Sequence, residues 1–520
     1  MRSDFEKKYL YVIILITCVQ RVKEDENMAI NTPRQTSHLK REILVRLIKS
    51  YLSEDFEEKT RKIPYDMRPK GSEVPYRCCI HKERDVIRHR IIANLGLSME
   101  NFDERELISN YAKQASERQE LEKEVLTVLE SACQACVPSR MFVTDLCQGC
   151  VARPCVESCK FGAISIQNGR SVIDGSKCKN CTKCMQVCPY HAIVKIVVPC
   201  EDACPVGAIE KDSSGHATID FDKCITCGKC VASCPFGAIH EKSQIIDILN
   251  RMKEGKKVIA MIAPSIAGQL PGTIYQLHTA LLKSGFSEVV EVAQGADITA
   301  VNEAEEFAER LEEGAKFMTT SCCAGYNNLI ATHLPEIKPF VSTTKTPLYY
   351  TAELVKKQSP DAITVFVSPC VAKRRESQEN PNVDYLLSYE EMGALFIAKQ
   401  IDVAELEPTP FKTESSREAR NFGLLGGVAK SVEVADQGKT EIKPHIINGL
   451  NKQSIRELKN YAKKGECECG NLIEVMCCEG GCIGGNGCIN NIKTASKAIQ
   501  EFTKNCKPLR EAPQKSEDEE

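Results

Sequence analysis

The chain has 520 residues, a formal net charge of −3, and 42% hydrophobic against 27% charged residues. That length exceeds one domain, and the balance is an ordinary globular one that leaves no basic footprint for nucleic acid. The outlier is 29 cysteines; most fall in repeated C-x2-C runs, which read as metal ligation in a reducing compartment rather than as a disulfide framework.

Along the chain, residues 9–19 form an apolar run between Lys7, Lys8 and Arg21. The run is too short to span a bilayer, and no small-residue cleavage site follows. Residues 1–34 are therefore read as a leader or a mis-assigned start, since Met28 opens a polar stretch. The protein is expected to have no membrane span and to be cytoplasmic, with an organellar leader left open.

Residues 35–130 are expected to be a helical N-terminal domain, with apolar helical spacing over 39–52 and 104–129. A basic helix-like stretch, residues 82–90, follows Cys78, Cys79 and His81. An adjacent cysteine pair with no second pair nearby is read as structural. Residues 131–242 are the iron–sulfur segment. Residues 243–506 alternate strand-like runs (258–262, 289–292, 316–320, 362–367, 472–476) with helix-like ones (299–312, 390–400), which predicts α/β architecture. Ser388 with Glu391 is a capping box opening the helix at 390–400. Residues 507–520 read as an acidic disordered tail.

Within the iron–sulfur segment, Cys178, Cys181, Cys184 and Cys188-Pro189 fit C-x2-C-x2-C-x3-C-P, as do Cys224, Cys227, Cys230 and Cys234-Pro235. Such a run gives three thiolates to one cubane, and its fourth serves the neighbouring cluster. Zinc sites rarely use four-cysteine runs ending in proline. Cys147, Cys150, Cys155 and Cys159 form a looser run, and the phrase after Cys159 (FGAI) recurs after Cys204 (PVGAI), resembling the repeat of two-cluster bacterial ferredoxins.

The crossover rule assigns Cys147, Cys150, Cys155 and Cys188 to a first cluster and Cys178, Cys181, Cys184 and Cys159 to a second. Cys224, Cys227, Cys230 and Cys204 make a third. Counting alone suggests a fourth from the orphaned Cys133, Cys136, Cys200 and Cys234, so three to four 4Fe–4S clusters are expected.

Three segments further on carry the remaining chemistry: TSCCAG (320–325), SPCVAK (368–373) and VMCCEGGCIGG (475–485). Each follows an apolar strand-like run. Three strand ends presenting thiols would converge at one edge of an α/β sheet, where such folds place ligands. Soft thiolates there predict a metal centre.

In order and spacing these segments resemble the signature segments of FeFe-hydrogenases, over roughly residues 256–506 and on into the ferredoxin-like part. The whole chain is most similar to the monomeric, cluster-rich, group B-like subgroup. The resemblance implies an α/β hydrogenase domain, with two lobes of parallel or mixed sheets around the active-site cluster. It also implies α+β ferredoxin-like iron–sulfur domains and a helical N-terminal domain. It further implies an H-cluster, in which a 4Fe–4S cubane shares one cysteine sulfur with a two-iron subsite carrying CO, cyanide and azadithiolate. Carried over by position, the cubane ligands are Cys323, Cys370, Cys478 and Cys482, with Cys482 as the bridge. Lys373 matches a donor to one cyanide, Pro264 and Ser265 match the loop contacting the other, and Met476 matches a methionine packed near the subsite.

Cys322 resembles a thiol that exchanges a proton with the subsite. Glu303, Glu306 and Arg310 share one helix face by spacing alone, and a bare charged face is more often solvated. With the resemblance they become a proton route of Arg310, Glu306, Ser342, Glu303 and Cys322. The implied reaction is reversible H2 oxidation and production, exchanging electrons with a ferredoxin-type carrier after maturation proteins deliver the subsite. No GxGxxG follows a strand, so direct reaction with NAD is not expected.

Ala324, Tyr326, Ser368 and Glu479 stand where the family more often has Pro, Trp, Met and Pro, and Cys477 adds a thiol of no assigned role. The alternative function is a non-catalytic hydrogenase-like iron–sulfur protein, in cluster assembly or hydrogen sensing. An assembly protein has no need of Cys322, Lys373 or the Glu303–Glu306 pair, and a sensor would carry a signalling module.

Overall fold

The computed structural model describes residues 35–72 and 76–509. The reading of residues 1–34 and most of the acidic tail, residues 510–520, lie outside the described residues.

Helices Gln35–Tyr51, Phe56–Met67, Ile80–Asn94 and Ile108–Glu117 pack together at the N-terminal end. The helix expected over 104–129 is shorter than its spacing suggested. It stops at Glu117, because Arg118 turns inward to pair with buried Asp247 and Leu126–Val128 pairs antiparallel with Ile239–Glu241. Tertiary pairing overrides the local helical pattern there.

The ferredoxin-like part is built of short antiparallel pairs. Arg140–Val143 pairs with Ile193–Ile196, Ile164–Gln167 with Arg170–Ile173, and Ile209–Lys211 with Ala217–Ile219.

The remaining chain forms two parallel sheets. One has four strands in the order Glu288–Glu291, Val258–Ile262, Ile363–Val367 and Tyr385–Leu387. The other has three: Met318–Thr319, Leu472–Met476 and Pro444–Asn448. This corrects the expectation of one sheet edge, since the thiol segments leave strands of both sheets. The strand expected over 316–320 is reduced to two residues. Val258–Ile262 and Leu472–Met476 are buried at every position, as parallel strands covered on both faces are. The helix expected over 299–312 begins earlier and runs Ala293–Glu312, and the Ser388/Glu391 capping box is formed.

One apolar cluster joins Ile43, Leu47 and Ile91 of the N-terminal helices to Ile245, Val258 and Val365 of the parallel-sheet region. A buried ionic group pins the same junction. The Arg374 guanidinium, 0% exposed, donates to Glu241 at 3.1 Å and to Glu391 at 2.8 Å. Lys40 reaches Glu241 at 2.7 Å and Glu390 at 2.9 Å. Burial works against the charge on Glu241, but Lys40 and Arg374 hold its carboxyl far below the ordinary range. Removing one partner of such a group strands the others in a dry interior. Replacing Arg374 with Met should therefore cost roughly 3–5 kcal/mol in denaturant unfolding, whereas an unchanged midpoint would show the network to be dispensable.

Candidate active site

After Met318–Thr319 the chain reaches Cys322 and Cys323, and Cys323 is the N-cap of the helix Ala324–His333. After Ile363–Val367 it reaches Cys370, the N-cap of Val371–Glu379. After Leu472–Met476 come Cys477 and Cys478, then a turn through Gly480 and Gly481 to Cys482. Gly481 has φ +82°, and a β-carbon there would lie 2.8 Å from the Leu425 amide nitrogen, so this turn requires glycine.

These segments bring the four expected ligands together. Cys323, Cys370, Cys478 and Cys482 lie within electrostatic reach of one another. The Cys478 thiol is lowered, chiefly by the neighbouring Cys477 thiol, whereas burial raises the thiols of Cys323 and Cys370, so iron must displace their protons. The helix dipoles at Cys323 and Cys370 act in the opposite direction, favouring thiolate. Among the described residues no three Cys, His, Asp or Glu side chains close on a single metal ion. Four soft thiols set apart from one another suit a multi-iron cage instead.

Around the thiols, Lys373 is half-buried and pairs with Glu376 at 2.6 Å. Burial opposes its charge, but the Glu376 carboxylate prevails and keeps the ammonium protonated. Pro264 and Ser265 open the turn after Val258–Ile262, and Ser265 Oγ lies 2.8 Å from Tyr389 Oη. The Tyr389 ring in turn lies within electrostatic reach of Cys488, Cys482 and Cys370. Met476 is buried in an apolar cluster that Cys322 packs against. Two buried polar atoms in these loops, Gln269 Nε2 and Thr320 Oγ1, have no protein partner. Unpaired donors beside four thiols suit a group that brings its own hydrogen-bond acceptors.

The helix Ala293–Glu312 carries the acidic pair on its inner face, so the solvated reading does not hold for Glu303, which is 0% exposed. Arg310 pairs with Glu306 at 2.6 Å, and the Ser342 hydroxyl donates to Glu306 at 2.6 Å. Ser342 lies close enough to Glu303 to bear on its charge, and that charge in turn reaches Cys322. Burial pushes the Glu303 carboxyl up to about 8, against a hydrogen bond from the Ser321 amide at 3.0 Å. Its second oxygen, Oε2, has no partner. Of the five residues of the expected route, Arg310, Glu306 and Ser342 are in direct contact, while Glu303 and Cys322 lie within electrostatic reach.

Sequence reasoning passed over Tyr389, Gln269, Glu376 and Cys488, whose Sγ lies 3.3 Å from the Cys482 carbonyl. Only proximity in the fold singles these out. Cys477, left without a role, is buried, and its thiol lies within electrostatic reach of Cys227 and Cys478. Its backbone amide donates to Cys323 Sγ at 3.4 Å.

In the ferredoxin-like part, one cavity is lined by Cys147, Cys150, Cys155 and Cys188, and another by Cys133, Cys136, Cys200 and Cys234. Cys204, Cys224, Cys227 and Cys230 interact electrostatically, as do Cys178, Cys181 and Cys184. Cys159 packs in one apolar cluster with Cys178 and Cys184. The loops present amides to the sulfurs in a repeating way. The amides of Ala163, Ala208 and Ala238 point at Cys159, Cys204 and Cys234 at 3.4, 3.2 and 3.4 Å. Those of Asn180 and Thr226 point at Cys178 and Cys224, each at 3.4 Å. Such N–H donors favour sulfur in its thiolate, iron-bound form. If the second cavity holds a cubane, Cys200→Ser in the full reconstituted chain should lower iron content by about four per molecule, while unchanged iron would leave Cys200 without a ligand role.

Comparison with known proteins bears on this arrangement. The C-terminal domain of the iron-only hydrogenase large chain is the family matched over residues 256–486, a 4Fe–4S dicluster domain matches 199–238, and a 4Fe–4S binding domain matches 171–194. The periplasmic Fe hydrogenase large subunit of Nitratidesulfovibrio vulgaris is 30% identical, over 61% of this chain and 85% of its own. Iron hydrogenase 1 of Clostridium pasteurianum is 27% identical, over 48% of this chain, which spans about half (53%) of that relative's length. Protein NAR1 of Arabidopsis thaliana is 22% identical, over 48% of this chain and 68% of its own. Among solved structures, the FeFe-hydrogenase HydA1 of Chlamydomonas reinhardtii aligns with a TM-score of 0.43 at 19% identity, over 52% of this chain and 92% of its own. Among the described residues, no helix is long and apolar enough to cross a membrane. Since most of a 30%-identical iron hydrogenase aligns with it, the chain belongs to the iron-only hydrogenase family.

Proposed function

We propose that this protein interconverts molecular hydrogen with two protons and two electrons, and exchanges those electrons with a small ferredoxin-type carrier in the cytoplasm. The observation that carries this reading is the buried acid Glu303, set within electrostatic reach of Ser342, which donates to the Glu306–Arg310 pair, on one side and of Cys322 on the other. A protein that only holds cubanes needs no buried carboxyl leading to them.

Cys323, Cys370, Cys478 and Cys482 would hold the cubane, with Cys482 shared with the two-iron subsite that maturation proteins supply. When bound, that group provides the position at which the H–H bond is made or split. The protein's own part is to orient ligands and move protons. Lys373, fixed by Glu376, and the loop of Pro264 and Ser265 supply donors to the group's polar ligands, and Met476 closes the apolar side. Cys322 passes a proton between the site and Glu303; Ser342 relays it to Glu306, and Arg310 sets the outer end. Cys477 sets its thiol beside Cys227, which would hold the third cubane, and Cys478, which would hold the active-site cubane, where it can donate to one of the two sulfurs. Hydrogen bonds to ligand sulfur tune reduction potential.

A second reading is favoured by the similarity to protein NAR1 and to relatives named cytosolic iron–sulfur assembly component 3, at 24% identity. On that reading the same thiols hold cubanes without hydrogen chemistry.

Glu303→Gln separates the two. On the hydrogenase reading it keeps the cluster content and lowers H2 turnover by roughly 10²-fold or more; full turnover in the variant would remove Glu303 from the route. It also carries a pH signature. The folded protein keeps a proton on Glu303 up to about pH 8 that the unfolded chain releases near an ordinary carboxylate pKa of about 4. Stability from the neutral acid is fully present below about pH 4 and is lost as pH rises through about 8. Relative to native protein, the variant should therefore gain stability steadily over that window and level off above it.

A further inference from the structure

The two ferredoxin-like units have opposite surfaces. Between residues 137 and 196 there are eight Lys or Arg and three Asp or Glu; between 200 and 240 there are three and six. The ligand assignment gives two cubanes to each unit, so cluster charge does not alter the contrast. All eight basic side chains of the first unit are exposed. Two of its three acids are already paired, Asp145 with Arg170 and Asp174 with Lys177.

Apolar exposure follows the same division. Of sixteen large apolar side chains exposed among the described residues, nine fall between Val137 and Val194, and none between residues 195 and 242. Several flank the thiols of the first cluster: Leu146 is 61% exposed, Val151 98% and Tyr190 49%, next to Cys147, Cys150 and, through Pro189, Cys188. Tyr190 and Arg153 line the cavity of those thiols. Single exposed apolar residues need no explanation, but a concentration around one redox site marks an interaction surface.

We infer that this face of the first unit docks an acidic one-electron carrier, whose own redox centre is brought against the loop of Cys147 and Cys150. The inference rests on the hydrogenase reading for its purpose and commits that reading to one entry point for electrons. The composition fits a brief electron-transfer encounter: a small apolar contact on a unit whose exposed basic groups steer an oppositely charged partner. The acidic second unit borders the catalytic site, where Asn486 donates to the Cys227 carbonyl at 2.7 Å. Its charge repels the same partner, so docking is confined to the first unit.

The test uses the full holoprotein and a small plant-type 2Fe–2S ferredoxin of net negative charge as probe. Its Kd is measured by calorimetry as ionic strength rises, and its KM by H2 evolution from the reduced ferredoxin, alongside the rate with reduced methyl viologen. In Leu146→Asp/Val151→Asp, and in Arg140→Glu/Lys195→Glu, which lies outside the ligand loops, the ferredoxin KM and Kd should rise about tenfold. The methyl viologen rate and iron content should stay unchanged. Native binding should weaken with added salt. Asp212→Lys in the second unit is the control and should not weaken binding. Unchanged Kd in both patch variants, salt-insensitive binding, or equal weakening by the control would overturn the inference. So would self-association of the native chain at low salt that is abolished by the patch variants, because a second copy would then occupy the face. Absence of methyl viologen turnover in native protein would refute the hydrogenase reading, while the calorimetry still decides the docking.

Discussion

Arg374 sits at the point on which the rest of the architecture depends. It lies in the helix Val371–Glu379, whose N-cap is Cys370 and whose first turn carries Lys373. Its guanidinium is clamped between Glu241, at the end of the ferredoxin-like part, and Glu391, in the capping box of Tyr389–Ala398. Lys40 of the first N-terminal helix closes the same group. One buried cation therefore fixes three stretches of chain relative to a ligand-bearing helix. A buried ion pair of this kind contributes little net stability, but its geometry admits few alternatives.

The site itself meets the cost of burying charge in two ways. The thiols of Cys323 and Cys370 are held neutral by burial until iron takes their protons, so cluster binding and burial are coupled. Glu303 remains neutral because burial raises its carboxyl to about 8, which suits a group that must both accept and release a proton. Glu306 meets the same environment differently: burial opposes its charge, but Ser342, the Thr343 amide and hydroxyl, and Arg310 hold its carboxyl below the ordinary range. Two carboxylates three residues apart on one helix thus differ in protonation. On the proposed route, the neutral acid is the member able to hand on a proton and the charged one the member able to accept it.

Short-range features were legible in the chain alone. Cysteine spacing within a loop is set by local backbone, and so the C-x2-C runs, the ligand segments and the Ser388/Glu391 cap could be read directly. The expected crossover of the fourth cysteine is in keeping with the cavity that Cys188 lines together with Cys147, Cys150 and Cys155. What depends on tertiary contact was not legible. The periodicity over 104–129 looked helical, yet Arg118 and Leu126–Val128 found distant partners in Asp247 and Ile239–Glu241. Convergent strand ends suggested one sheet, while the structure supplies them from two. Spacing put Glu303 and Glu306 on one face but could not say that the face is buried. The neighbours of Cys477, 250 residues away at Cys227 and adjacent at Cys478, are visible only once the two regions pack together.

Hydrogen activation, as distinct from cubane storage, is the central claim, and it is tested most directly by infrared spectroscopy of protein matured with its two-iron group. The region between the protein amide and C–H bands is otherwise empty. Sharp CO and cyanide stretching bands that shift on exposure to H2 are the predicted result. Fully loaded cubanes with no bands in that region would contradict the account and leave the cluster-holding reading in its place.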